Sequence, residues 1–144
     1  MNSTIFGNRA YDGGAIFNSS STLTLKNTTV AGETRSRDRF DQFVNRDLCF
    51  LDNANINGET DNIVEDGSCE TNALAVDPML GELADNGGKT MTHPLLPESP
   101  AINIGNEIFC SDSNLFGRDQ RGFSHEGRCA VSYTHLTLPT TPYV

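Results

Sequence analysis

Tryptophan is absent from this 144-residue chain and basic side chains are scarce: ten Lys and Arg stand against 19 Asp and Glu, a formal net charge of −9. Binding to a nucleic-acid backbone rests on neutralising phosphates with Lys and Arg, so this balance argues against such a partner, and against an anionic membrane surface for the same reason. Long apolar runs are missing too. The longest are four residues, such as Ala73 to Val76, far short of the roughly 18 that a membrane-spanning helix needs. No Cys-x-x-Cys pair is present to hold zinc or run a redox couple. Gly-x-Ser-x-Gly elbows, phosphate loops and dinucleotide fingerprints are likewise missing. The opening Met1-Asn2-Ser3-Thr4 has neither the basic head nor the apolar run of a secretory signal, so the expectation is a true beginning further upstream.

What the chain has in abundance is small and polar. Asn, Ser and Thr together number 39, against 36% hydrophobic residues, so a core must be assembled from short apolar patches rather than from long amphipathic helices. The length allows one ordinary domain or a fragment of a larger one.

Asn2-Ser3-Thr4-Ile5-Phe6-Gly7-Asn8 recurs 25 positions later as Asn27-Thr28-Thr29-Val30-Ala31-Gly32-Glu33, and a weaker third copy reads Asn53-Ala54-Asn55-Ile56-Asn57-Gly58-Glu59. Each has a β-branched residue before a closing Gly, the pattern of a short strand ended by a turn. A period in the twenties implies stacked coils. Between the first two copies lie Gly13-Gly14-Ala15-Ile16-Phe17-Asn18 and Thr22-Leu23-Thr24-Leu25-Lys26. The second alternates strictly, placing Leu23 and Leu25 on a buried face and Thr22, Thr24 and Lys26 on a wet one. Three short strands with Gly, Ser and Asn turns fit one rung of a right-handed parallel β-helix; a meander of antiparallel hairpins is the competing arrangement.

From Glu33 to Asp47 the pattern breaks into a charged stretch of nearly balanced sign, expected as a loop or short helix projecting from the stack. From Asp47 to Asp85 there are ten acids and no Lys or Arg, the mark of a solvated acidic face.

Cys49, Cys69, Cys110 and Cys129 are separated by 20, 41 and 19 positions. Four cysteines in so polar a chain fit an oxidising compartment, and the two similar short intervals suggest pairing Cys49 with Cys69 and Cys110 with Cys129. A bridge closing a loop of about 20 residues contributes roughly 3 kcal/mol. Four reduced thiols in a cytosolic protein are the alternative.

The segments Gly13 to Asn18 and Thr22 to Gly32 resemble the rungs of bacterial right-handed parallel β-helix surface proteins, those with polymorphic outer-membrane-protein repeats. The later string is similar to the choice-of-anchor Q module that follows such β-helices. It comprises Asp77-Pro78-Met79-Leu80-Gly81, Leu83-Ala84-Asp85-Asn86-Gly87-Gly88, Thr90, Thr92-His93-Pro94-Leu95-Leu96-Pro97, Ser99-Pro100-Ala101-Ile102, Gly105-Asn106 and Asp119-Gln120-Arg121-Gly122. The resemblance spans residues 2 to 129. The family continues with a closing strand after its last cysteine, whereas here Ala130 follows and residues 131 to 144 resemble a translated sequencing adaptor.

Individual side chains offer little chemistry. Asn53-x-Asn55-x-Asn57-Gly58-x-x-Asp61 matches the first half of a calcium loop, but its twelfth position is Val64, with Glu65 one place late, and a loop without that bidentate carboxylate binds poorly. Asp112, Asp119 and Arg121 are the groups nearest to a sugar-cleaving set, yet Asp119 and Arg121 read better as an ion pair or turn caps. His93 precedes Pro94 and should lie in extended backbone as a packing or hydrogen-bonding residue. His125 reads as an exposed loop residue and His135 falls in the adaptor-like tail. Asn18, Asn27 and Asn53 read as turn residues whose side chains bond neighbouring backbone. Sequons at Asn2, Asn18 and Asn27 need carry no sugar in a bacterial surface protein.

The expectation is therefore an all-β, right-handed parallel β-helix C-terminal fragment of the pectate-lyase-like solenoid type. Residues 1–72 form terminal coils with a charged insertion at 33–47, residues 73–130 a C-terminal capping module, and residues 131–144 a non-native tail. The expected role is that of a non-catalytic, exported protein at the bacterial cell surface or outside the cell, adhesive or binding a glycan or protein ligand. No cofactor, metal, nucleic acid or transmembrane segment is expected. The alternative is a carbohydrate-active enzyme, a polysaccharide lyase or hydrolase of the same fold.

Overall fold

The computed structural model describes residues 3–32, 36–37, 43–44, 47–58, 61–69, 72–102, 104–106 and 118–123. These residues form an all-β structure of short strands, with neither a helix nor a closed barrel among them. In chain order the strands are β1 (Ser3–Phe6), β2 (Ile16–Ser19), β3 (Thr22–Leu25), β4 (Thr28–Ala31), β5 (Ser36–Arg37), β6 (Phe43–Val44), β7 (Cys49–Asp52), β8 (Asn55–Gly58) and β9 (Ile63–Val64). Three parallel sheets have the orders β1-β4-β9, β2-β7 and β3-β8, and β5 pairs with β6 antiparallel. The chain thus visits the three parallel sheets in turn, returns to each in the same order, and ends on the first. The antiparallel meander is excluded for these strands.

Ser3 pairs with Thr28 and Ile5 with Val30, so the 25-residue repeat read in the sequence is the pairing register itself. Two backbone devices hold it. Asn27 turns the chain into β4 at φ 46°, a conformation Asn tolerates better than branched residues. Gly32 closes the strand at φ 101° directly beside Gly7, where a Cβ would come within 2.6 Å of the Gly7 nitrogen, so only glycine fits.

The third copy sits elsewhere than expected. Its strand, β8, pairs with β3, Leu23 opposite Ile56, and the third strand of the first sheet is the two-residue β9, which carries no trace of the repeat. An Asn-rich strand and turn suit any of the three parallel sheets, so the motif alone does not say which sheet it joins. Within the charged stretch the described residues Ser36–Arg37 and Phe43–Val44 pair antiparallel as β5 and β6. The stretch lies between β4 and β7, which is why β2 and β3 pair with β7 and β8 at an offset of 33 positions.

Alternation sorts the side chains. Leu25, Val30, Leu48, Cys49, Ile56, Val64 and Cys69 form the main core, with Ile5, Ile16, Leu23 and Leu51 against it. Ile5, Val30 and Val64 are register neighbours in one row. The half-buried Ile5, Ile16 and Leu23 of β1, β2 and β3 pair with buried Val30, Cys49 and Ile56 of β4, β7 and β8. Each fully buried aliphatic side chain contributes about 1.5–3 kcal/mol, so the column outweighs any one of the hydrogen bonds around it.

Within the first sheet β4 and β9 are covered on both faces: every residue of the two strands is buried. The sheet's second face meets residues 73–106, where Ile63 packs with Leu95 and Ala101, and Val76, Leu80, Ile102 and Ile104 pack against them. Leu74 makes a parallel bridge to Ile63 at the sheet edge, and antiparallel bridges join Leu80 to Leu95 and Ala84 to Thr92. Asparagines bolt the corners. Asn62, fully buried, donates to Leu25 O at 3.1 Å and accepts from Thr28 N at 2.8 Å. Asn27 donates to Asn106 O at 3.2 Å and accepts from Asn106 N at 3.0 Å.

Thr29 Oγ1 is the exception to this satisfaction, a buried hydroxyl without a hydrogen-bond partner among the described residues. Burying such a group unpaired costs about 1–3 kcal/mol, and valine has the same shape. Thr29→Val is therefore expected to stabilise the fold by about 1 kcal/mol, read as a higher urea midpoint; a lower midpoint would show that the hydroxyl is bonded in solution.

Candidate functional site

β1 turns outward at Gly7, φ 65°, and there the outer side of the first sheet meets the later module. Thr4, Phe6 and Asn8 from β1 and its turn, Leu83, Met91, Thr92 and His93 from the 80–95 hairpin, and Gln120 line a cleft of about 410 Å³. That lies at the lower end of the ~300–1,000 Å³ usual for small-molecule sites. No Asp, Glu, Lys or Arg lines it.

Each wall is fixed by internal bonds. His93 Nδ1 donates to Gly81 O at 2.8 Å, and its ring lies 4.7 Å from that of Phe6 at 54°. A proton on Nδ1 leaves Nε2 of the neutral ring as an acceptor. Across the hairpin, Asn86 Nδ2 donates to Thr92 O at 2.8 Å and Thr92 Oγ1 at 3.1 Å. Gln120 Nε2 donates to Thr90 Oγ1 at 2.9 Å, and the turn carrying it is locked by its neighbours. Asp119 Oδ2 accepts from Arg121 Nη2 at 2.7 Å and Nε at 2.9 Å, while Asp119 Oδ1 accepts from the backbone N–H groups of Arg121 and Phe123. Arg121 Nη1 donates to Asn86 O at 3.2 Å and its guanidinium stands 5.0 Å from the Phe123 ring centroid. Gly88 fits against Arg121 only because it lacks a Cβ, which would lie 2.7 Å from Arg121 Cα.

A second outward feature lies on the β2–β7 sheet. Phe17 and Phe50 are register partners, exposed, with ring centroids 5.5 Å apart and planes within 14°. Beside them Ser19 Oγ donates to Asp52 Oδ2 at 3.0 Å.

The residues singled out from the sequence fall as follows. Cys49 and Cys69 form a disulfide with Cα atoms 4.9 Å apart, whereas Cys110, Cys129, Asp112, His125 and His135 lie outside the described residues, as do residues 131–144. Asp119 and Arg121 are the expected ion pair and turn cap, their side chains 1% and 4% exposed, so both are consumed in holding the loop. His93 is both packed and hydrogen-bonded. The calcium-like asparagines do not converge: Asn55 and Asn57 point outward from β8 while Ile56 between them is buried. Among the described residues no three His, Cys, Asp or Glu side chains gather to hold a metal. No helix among them is long and apolar enough to cross a membrane. Asn27 and Asn53 are turn residues at φ 46° and 48°. Asn18 is not; it lies within β2, buried, and donates to Ser21 O at 3.3 Å and to Asn55 O of β8 at 3.0 Å.

Sequence reading missed the cleft and the Phe17–Phe50 pair. The one available signal for the pair was the alternation of Ile16-Phe17-Asn18-Ser19 and Cys49-Phe50-Leu51-Asp52, each with an aromatic second. Compared with protein-family models, with curated proteins and with solved structures, the chain matches none.

Proposed function

We propose that these strands belong to a right-handed parallel β-helix of the pectate-lyase-like solenoid type, part of an exported bacterial surface or extracellular protein that binds a glycan or protein ligand without turning it over. The observation that carries this reading is the return of the chain to each parallel sheet in the same order. Connections between parallel strands of one sheet are right-handed in about 98% of cases, which supports the hand. The buried Cys49–Cys69 bridge accords with an oxidising compartment.

The resemblance of residues 73–130 to a choice-of-anchor Q module gains support from the work its motif residues do. Gly81 abuts Pro94, Asn86 ties to Thr92, Gly88 abuts Arg121, Ser99 Oγ donates to Pro78 O at 2.6 Å, and Asp119 holds Arg121. The string reads as the internal scaffold of a module rather than as a reactive set. Asp119 and Arg121, engaged with each other, are poorly placed to serve a sugar-cleaving reaction.

The test is to incubate the full chain with acidic and neutral polysaccharides, following chain length and retention on the polymers. Retention without shortening is the expected result. Depolymerisation would overturn the reading in favour of a carbohydrate-active enzyme.

A further inference from the structure

We infer that the cleft between β1 and the later residues takes a neutral saccharide. This rests on the reading of the chain as a non-catalytic binding protein and names the ligand class and its seat.

The lining decides the charge of the ligand. With no ionic side chain in the cleft, neither a uronate, a phosphate nor a cationic amine finds a counter-ion there, and a chain of net charge −9 repels polyanions at longer range. The lining also decides the polarity pattern. Phe6, Leu83 and Met91, each 40% exposed or more, give apolar surface. Around it stand three neutral polar ends with no partner among the described residues: the Asn8 amide, Gln120 Oε1 and His93 Nε2. An apolar platform ringed by a few uncharged donors and acceptors matches a sugar ring, which has one face of C–H groups and hydroxyls at its rim. The C–H face carries slight positive charge and is drawn to the negative face of an aromatic ring, while hydroxyls both donate to Gln120 Oε1 and His93 Nε2 and accept from the Asn8 amide.

The experiment is an NMR titration of the full chain with cellobiose, maltose and N,N′-diacetylchitobiose, with digalacturonate as the acidic comparator. At least one neutral disaccharide is expected to bind saturably. Phe6→Ala should weaken it roughly ten-fold and Asn8→Ala about three- to ten-fold. Asn8 is exposed, so its variant keeps the test independent of folding. Preference for digalacturonate, neutral binding untouched by Phe6→Ala and Asn8→Ala, or no binding of any neutral disaccharide would overturn the inference while leaving the binding-protein reading standing. Cleavage of any of the sugars would overturn that reading as well.

Discussion

Replacing Asp119 by alanine is expected to cost about 3–5 kcal/mol, the usual penalty for removing one partner of a buried ion pair. The pair itself adds little net stability, because desolvating both charges offsets most of their attraction. The asymmetry lies in what is left behind: Arg121, with a side chain 4% exposed, loses the carboxylate that takes two of its N–H groups. The backbone N–H groups of Arg121 and Phe123 lose their acceptor at the same time. The segment escapes the penalty by detaching from the hairpin at Asn86 and Gly88, so the loss surfaces either as a Tm lower by on the order of 10 °C or as local release. Trypsin separates the two, since released Arg118 and Arg121 become cleavage sites under native conditions. Asp119→Ala with Arg121→Leu should recover most of the loss. An unchanged Tm with Arg121 still resistant would show that the pair is not buried in solution.

Breaking the Cys49–Cys69 bridge comes next in size. It closes a loop of 20 residues, so its removal should cost roughly 3 kcal/mol through the freedom gained by the unfolded chain. For a chain of this size that lowers the urea midpoint by on the order of 1–2 M. Cys49→Ala with Cys69→Ala is the cleaner comparison, as serine would bury two hydroxyls. The bridge is backed by hydrogen bonds: Leu48 N donates to Asp66 Oδ2 at 2.7 Å and Cys49 N to Ser68 Oγ at 2.9 Å. Because Cys49 is 3% exposed and Cys69 0%, a thiol reductant should act slowly on the native protein and rapidly in denaturant. Equal rates in the two conditions, or a midpoint shift below about 0.3 M, would refute a buried, constraining bridge.

What could be read from the sequence was whatever repeats or alternates locally. The copies carried by β1 and β4 share a spacing because the two strands are parallel neighbours in one sheet, and Leu23 and Leu25 alternate because only one face of β3 is buried. β4 gives no such signal: Thr28, Thr29, Val30 and Ala31 are all buried, since one face of the sheet meets the Leu25, Val30 and Ile56 core and the other residues 73–106, so polarity along it stops reporting orientation. β9 is too short to carry a motif, and its place went to Asn53–Gly58, whose composition suits a strand in any of the three parallel sheets. The cleft was illegible for a different reason. Asn8 and His93 meet only through the docking of residues 73–106 on the first sheet, Gln120 joins them through the contacts of its turn with Asn86 and Thr90, and nothing in their spacing encodes that docking.

The middle place of β4 gives the molecule an order of opening. Among the described residues β2, β3, β7 and β8 each pair with one strand, whereas β4 lies between β1 and β9 and has all four of its residues buried. Amide protons of β4 should therefore exchange last, after those of the two-stranded sheets, because releasing them takes the loss of two ladders together with buried contacts on both faces. Exchange at equal rates in all of these strands would mean that the structure opens all at once.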